Sequence, residues 1–137
     1  MLDQDNGKIR EMLKSREGVR VEAIELGRVR DYLQALDEPA DLKGGDIVPP
    51  LFLLTLARTR RPQPPKGGGG VKISDECRFL APVRVGDTIT TTTKVTDIES
   101  REGKRGKMYI YTTEATYRNQ HGEVVGAGIT KSIRWGI

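Results

Sequence analysis

Histidine is almost missing from this chain: 137 residues contain one, His121. Imidazole is the side chain whose unperturbed pKa lies nearest neutrality, and proton-transfer sites commonly recruit it. Cysteine is as scarce. Cys77 stands alone, which excludes an intrachain disulfide and points to a reducing, cytoplasmic setting. Long apolar runs are also lacking. The longest, "VPPLFLLTLA" at 48–57, falls well short of the ~18 residues that cross a bilayer, so no membrane association is expected. The opening "MLDQDNGKIREM" has no apolar stretch of the kind that marks a secretory signal. Aromatic residues make up 5%, and 23 Lys+Arg against 19 Asp+Glu leave a net charge of only +4. Single-strand binding needs basic grooves with interleaved stacking rings, so nucleic acid is not an expected partner, whereas small anions are. No metal or cofactor is expected.

What the chain does have is β-patterning in its second half. "GDTITTTTKVTDIES" (86–100) is β-branched almost throughout, and in "KMYIYTTEATYRNQ" Tyr109, Tyr111, Thr113, Ala115 and Tyr117 alternate onto one face. "VKISDECRFL" (71–80) sets Val71, Ile73, Cys77 and Phe79 on one side, interrupted by Asp75. "EVVGAGITKSIRW" (123–135) sets Val125, Ala127, Ile129, Ile133 and Trp135 opposite small glycines. Four long antiparallel strands follow from this period of two. Their connections are "APVRV" (81–85), "REGKRGK" (101–107) and "NQHG" (119–122). The last is short, with Asn and Gly suited to a hairpin loop, so His121 is expected at a solvated tip.

The first half has a helical period. "NGKIREMLKSREG" carries Ile9, Met12 and Leu13 on one face, and "VRVEAI" reads as a short strand. "ELGRVRDYLQALDE" spaces Leu26, Val29, Leu33 and Leu36 three or four apart. "PPLFLLTLART" starts with proline, suited to a helix's first turn, and is apolar nearly all round, as a buried helix over about 49–58 would be. Between this helix and the strands, residues 58–70 hold Pro62, Pro64, Pro65 and four consecutive glycines, which predicts a mobile loop at about 58–70. One sheet and one buried helix make an α+β layer pair within a single domain spanning 1–137.

Three stretches carry a family resemblance: "IVPPLFLLTLA" (47–57), "ECRFLAPVRVGDTITTTTKVTDI" (76–98) and "ATYRNQHGEVVGAG" (115–128). In the second, a strand ends in an aromatic-x-x-Pro turn and the next begins after Val-Gly-Asp-Thr. The chain, over roughly residues 7–135, resembles the N-terminal, degenerate hot-dog domain of the MaoC-like hydratase and dehydratase family. The resemblance implies a long antiparallel sheet wrapped around a central apolar helix. It also implies a substrate that is an acyl-CoA or acyl-carrier-protein thioester. Active members resemble enzymes that hydrate trans-2-enoyl thioesters or dehydrate (3R)-3-hydroxyacyl thioesters. Their Asp-x-Asn-Pro-x-His motif precedes the buried helix, and Asp and His exchange a water's protons with the substrate. An amide at the helix start receives the thioester carbonyl.

This chain departs from that motif in "ALDEPADLKGGDIVPP" (35–50). Asp37 takes the aspartate place and Pro39 the proline place with one residue missing, and Asp41 or Leu42 stands where histidine should. Pro49 and Pro50 occupy the helix start, where a missing N–H removes donors. The implied role is the non-catalytic or substrate-binding subunit of a dehydratase or hydratase complex, beside a second hot-dog chain. A homodimer is the other arrangement. Two readings of another class stay open. One is a stand-alone hot-dog acyl-CoA thioesterase using Asp37 or Asp46, and the other is a non-enzymatic acyl-CoA-binding protein. Asp37, Asp41 and Asp46 also read simply as polar turn residues charged to suit a helix N-terminus. Arg58, Arg60, Arg61 and Lys66 are candidates for the phosphates of coenzyme A, or a solvated basic loop. The glycines at 67–70 have no helix directly behind them and read as loop rather than phosphate cradle. Cys77 reads as a buried structural thiol on the inward face of its strand rather than a nucleophile, because no histidine is near it in sequence.

Overall fold

The computed structural model describes residues 11, 17–56, 69–104 and 106–136. Strand β1 (Gly18–Ala23) leads into helix α1 (Leu26–Ala35) and a six-residue 3₁₀ helix (Pro50–Thr55). Four long strands follow: β2 (Gly69–Phe79), β3 (Thr88–Gly103), β4 (Gly106–Arg118) and β5 (Val124–Trp135). They form one antiparallel sheet in the order β1-β3-β4-β5-β2. The expected N-terminal helix and the basic half of the expected mobile loop, with Arg58, Arg60, Arg61 and Lys66, lie outside the described residues, apart from helical Glu11.

One face of the sheet receives the helices. Ile89 of β3, Tyr117 of β4 and Val125 of β5 pack with Val29 and Leu33 of α1 and with Phe52, Leu53 and Leu56 in one buried cluster. Farther along the same face, Tyr109 and Tyr111 form a second cluster with Val95 and Ile98. All three of these tyrosines are buried.

The expected central helix is shorter and tighter than its sequence suggests. Pro49 and Pro50 withhold the first amides, and the turns close by three-residue bonds, Phe52 N–H to Pro49 O (3.0 Å) and Leu56 N–H to Leu53 O (3.0 Å). Its apolar character all round does not mean burial all round: Phe52, Leu53 and Leu56 are buried, while Leu51 is 55% exposed.

The four long strands fall where expected, but two of them turn different faces to the core. In β2 the register with β5 shifts between Lys72 and Ser74. The extra residue, Ile73, breaks the alternation. Val71 therefore leaves the side that holds Asp75, Cys77 and Phe79. In β5 the register shifts beside Val124, so Val125 is buried while Ala127, Ile129, Ile133 and Trp135 fall on the outer face. The glycines of "VVGAG" face the helix instead. A Cβ on Gly126 would stand 3.1 Å from Leu53 Cδ1, so the helix sits where that side chain would be.

The turns also differ from expectation in one place. Pairing between β3 and β4 continues to Gly103 and Gly106, well into the expected "REGKRGK" loop, with Gly106 at a φ of 91°. Gly69 and Gly70 likewise belong to β2 rather than to the loop before it. The Asn119–Gly122 hairpin is as expected: Gly122 has a φ of 76° and donates to Asn119 O (3.0 Å), and Asn119 Oδ1 accepts the amides of His121 and Glu123. Gln120 docks this tip onto the Val-Gly-Asp-Thr turn. Its amide donates to Asp87 Oδ1 (2.9 Å) and its carbonyl accepts from Thr88 N–H (3.1 Å).

Candidate functional site

The segment that joins α1 to the 3₁₀ helix holds the sequence's candidate carboxylates, and local hydrogen bonding explains its path. Helix α1 ends in a Schellman arrangement, with Glu38 N–H to Leu33 O (2.9 Å) and Asp37 N–H to Gln34 O (3.1 Å). The residue that turns the chain there must be left-handed, and Asp37 is, at a φ of 55°. Asp is one of the few side chains besides glycine that visits this region. Asp37 and Asp41 are both exposed.

Asp46 is engaged differently. Its Oδ2 accepts the Lys43 amide (2.8 Å) across a turn in which Gly45 has a φ of 84°. Backbone bonds then stitch this turn to residues 83–85: Val85 N–H to Asp46 O (2.9 Å) and Val48 N–H to Val83 O (2.7 Å). Arg30 Nη2 also donates to Leu42 O (2.8 Å), tying the loop to α1. The three carboxylates therefore lie at separate points of one braced loop. His121 is exposed on the β4–β5 hairpin, an element different from the one that carries Asp37.

A groove of about 530 Å³ opens between β1, α1 and the 3₁₀ helix, lined by Arg20, Glu22, Arg28, Asp31, Tyr32, Phe52 and Thr55. Its floor is aromatic, with the Tyr32 and Phe52 rings edge to face at 5.4 Å. At its rim both guanidiniums converge on Glu22, from Arg20 at 2.7 Å and from Arg28 at 3.4 Å. A carboxylate whose two oxygens each meet a cation is held as a charge partner, not offered as a base. None of the candidates named from sequence lines this groove. Arg20 and Glu22 were legible only as alternate residues of a short strand, and no motif marks them.

The helix-facing side of β2 carries a further ionisable cluster. Asp75 accepts from Thr130 Oγ1 (2.8 Å) and from Lys72 Nζ (3.1 Å). Cys77 lies on the same face, half-buried, and burial, helped by the Asp75 charge, pushes its thiol up from the ordinary value. That is the reverse of what a nucleophilic cysteine needs. Burial pushes the Tyr117 phenol up to about 12, with the Cys77 and Asp75 charges adding to it. Among the described residues no three His, Cys, Asp or Glu side chains stand close enough to hold a metal ion. No helix among them is long and apolar enough to cross a membrane.

A raised phenol pKa has a consequence for stability. The neutral form is favoured in the fold, so the contribution is complete below the unfolded value of about 10. It is lost as pH climbs from there through about 12. Thermal melts followed by circular dichroism should fall over that interval, and Tyr117→Phe should flatten part of the fall. An equal fall in the variant would show that Tyr117 does not contribute.

The family model described as the FAS1-like, dehydratase domain region matches residues 15–127. The chain belongs to this family. It is a family of MaoC-like hot-dog domains, and solved structures agree with that fold. A chain of the ChsH1-ChsH2 complex from Mycobacterium tuberculosis is similar at a TM-score of 0.73 and 12% identity, over 97% of this chain and 92% of that one. The C-terminally truncated HadBC (3R-hydroxyacyl-ACP dehydratase) complex of the same organism gives 0.63 and 19%, over 86% and 96%. A MaoC-like dehydratase from Rhodospirillum rubrum gives 0.66 and 18%, over 88% and 92%. At these identities the likeness speaks for the fold alone. No curated protein matches the chain by sequence.

Proposed function

We propose that this chain is the non-catalytic half of a (3R)-hydroxyacyl-thioester dehydratase or enoyl-thioester hydratase, shaping the acyl pocket beside a second hot-dog chain that supplies the acid–base pair. The reading rests on the loop ahead of the 3₁₀ helix. Adding water across an enoyl thioester needs a group that takes a proton and a group that gives one. In that loop Asp37 serves as the left-handed terminator of α1, no histidine accompanies it, and the helix start is Pro49-Pro50.

Two similar structures are, by their descriptions, complexes of two named components, which is the arrangement proposed here. The edge strands favour one docking side. Strand β1 is six residues long, whereas β2 runs for eleven and ends in Phe79, 41% exposed. A long, partly apolar edge is a template for a strand of another chain. The carrier of the thioester, coenzyme A or acyl carrier protein, would engage Arg58, Arg60, Arg61 and Lys66, and the groove beneath α1 binds rather than catalyses.

The test is isolation of the chain from its native cells through an affinity tag, followed by enoyl-CoA hydration assays on whatever complex is recovered. A second hot-dog chain carrying the intact Asp and His should co-purify. Asp37→Asn and His121→Ala should each leave the complex within about twofold of full activity, since on this reading neither group moves a proton. A hundredfold loss from either substitution would refute the assignment of roles.

A further inference from the structure

The outer face of the sheet, turned away from the helices, carries an apolar block that the function above does not use. Directly paired residues of antiparallel strands share a face, so the register lays this one out in rows. One row across β3, β4, β5 and β2 is Glu99, Ile110, Ile133 and Val71. The next, toward the β3–β4 hairpin, is Arg101, Met108, Trp135 and Gly69, and the row on the other side is Asp97, Thr112, Lys131 and Ser74. Val71, Ile110, Ile133, Met108 and Trp135 are thus contiguous. Gly69 keeps the block flat: a Cβ there would stand 2.7 Å from Cζ2 of the Trp135 indole, which lies over the glycine. Val71 is 58% exposed, and the other four are half-buried.

We propose that this block is a self-association surface, on which a second copy of the chain packs sheet to sheet about a two-fold axis. The charges around the block argue for a second copy. Place the axis between the two faces, across the strands and level with the Ile110–Ile133–Val71 row. That row then meets itself, apolar on apolar. The Asp97–Thr112–Lys131 row meets the Arg101–Met108–Trp135 row of the other copy. Asp97 faces Arg101, and the Lys131 ammonium faces the Trp135 indole, an attractive cation–π geometry. Each contact occurs twice, as an isologous interface requires. Glu99 would face its own copy, but it is already paired with Arg101 at 3.6 Å. Sheets packed this way sit ~10 Å apart with strand directions within about 30°. The apolar rows supply the attraction. The rim charges select the register, because exposed ion pairs add little energy but discriminate between alignments.

Sedimentation equilibrium on the purified full-length chain tests this. Val71→Lys, at an exposed position, and Ile133→Glu should each halve the mass while the far-ultraviolet spectrum and melting temperature stay near wild type. Any pairing along a sheet edge enters both masses equally. Asp97→Arg should weaken the association about tenfold, and Asp97→Arg combined with Arg101→Asp should restore it. Rescue by the double reversal is expected only where copies of the chain face each other in this register. A mass unchanged by both Val71→Lys and Ile133→Glu would overturn the proposal. So would a single reversal that weakens association without rescue, because the occupant of the face would then be something else.

Discussion

Leu53→Ala will lower the free energy of unfolding by about 2–5 kcal/mol, as truncation of a fully buried leucine does. Leu53 is 2% exposed and lies in the helix–sheet cluster, where its Cδ1 occupies the space that a side chain at position 126 would fill. The same contact predicts the reverse substitution. Gly126→Ala puts a Cβ 3.1 Å from Leu53 Cδ1, 3.3 Å from Arg78 O and 3.4 Å from Tyr117 Cδ2. Overpacking of this kind costs about 1–3 kcal/mol. In the Leu53→Ala background the nearest of these contacts is gone, so Gly126→Ala should cost less there. Chemical denaturation of the wild type, the two single variants and the double variant measures the coupling. A coupling of about 0.5 kcal/mol or more in this direction supports the packing, and strict additivity would contradict it.

That pair of residues also marks where the sequence stops being legible. The alternation in β5 is plain, and its apolar face was the natural one to bury. A single extra residue near Val125 inverts the faces and sends the glycines to the helix. The irregularity at Ile73 does the same to β2 and turns Val71 outward. A bulge leaves no mark on hydrophobic periodicity, because each flanking segment still alternates perfectly. Turn residues are more telling. Asn119 and Gly122 identified the hairpin and so placed His121 at its tip, and the spacing of Val29 and Leu33 identified the buried side of α1.

The candidate site was legible mainly through what it lacks. The departures at Asp37, Asp41, Pro49 and Pro50 can be read directly. The left-handed conformation of Asp37 cannot, because aspartate is only one of several residues that can end a helix this way. The groove between β1 and α1 joins Arg20 and Arg28, from two consecutive elements, to Phe52 of the later 3₁₀ helix, and no local pattern announces such a convergence.

The central claim is that this chain does not perform the family's proton transfers by itself, and one assay tests it directly. Purified alone, the protein is mixed with crotonyl-CoA and with longer trans-2-enoyl-CoA thioesters, and hydration is followed by loss of the enoyl absorbance. General acid–base catalysis contributes ~10²–10⁴ to such reactions, and an oxyanion donor a further ~10²–10³. Asp37 ends a helix without a histidine beside it, and Pro49 and Pro50 bring no amides to the 3₁₀ start, and on the proposed reading neither contribution comes from this chain. The account predicts no turnover above the uncatalysed rate. Steady hydration by the isolated chain, abolished by Asp37→Asn, would contradict it and make the chain an enzyme in its own right.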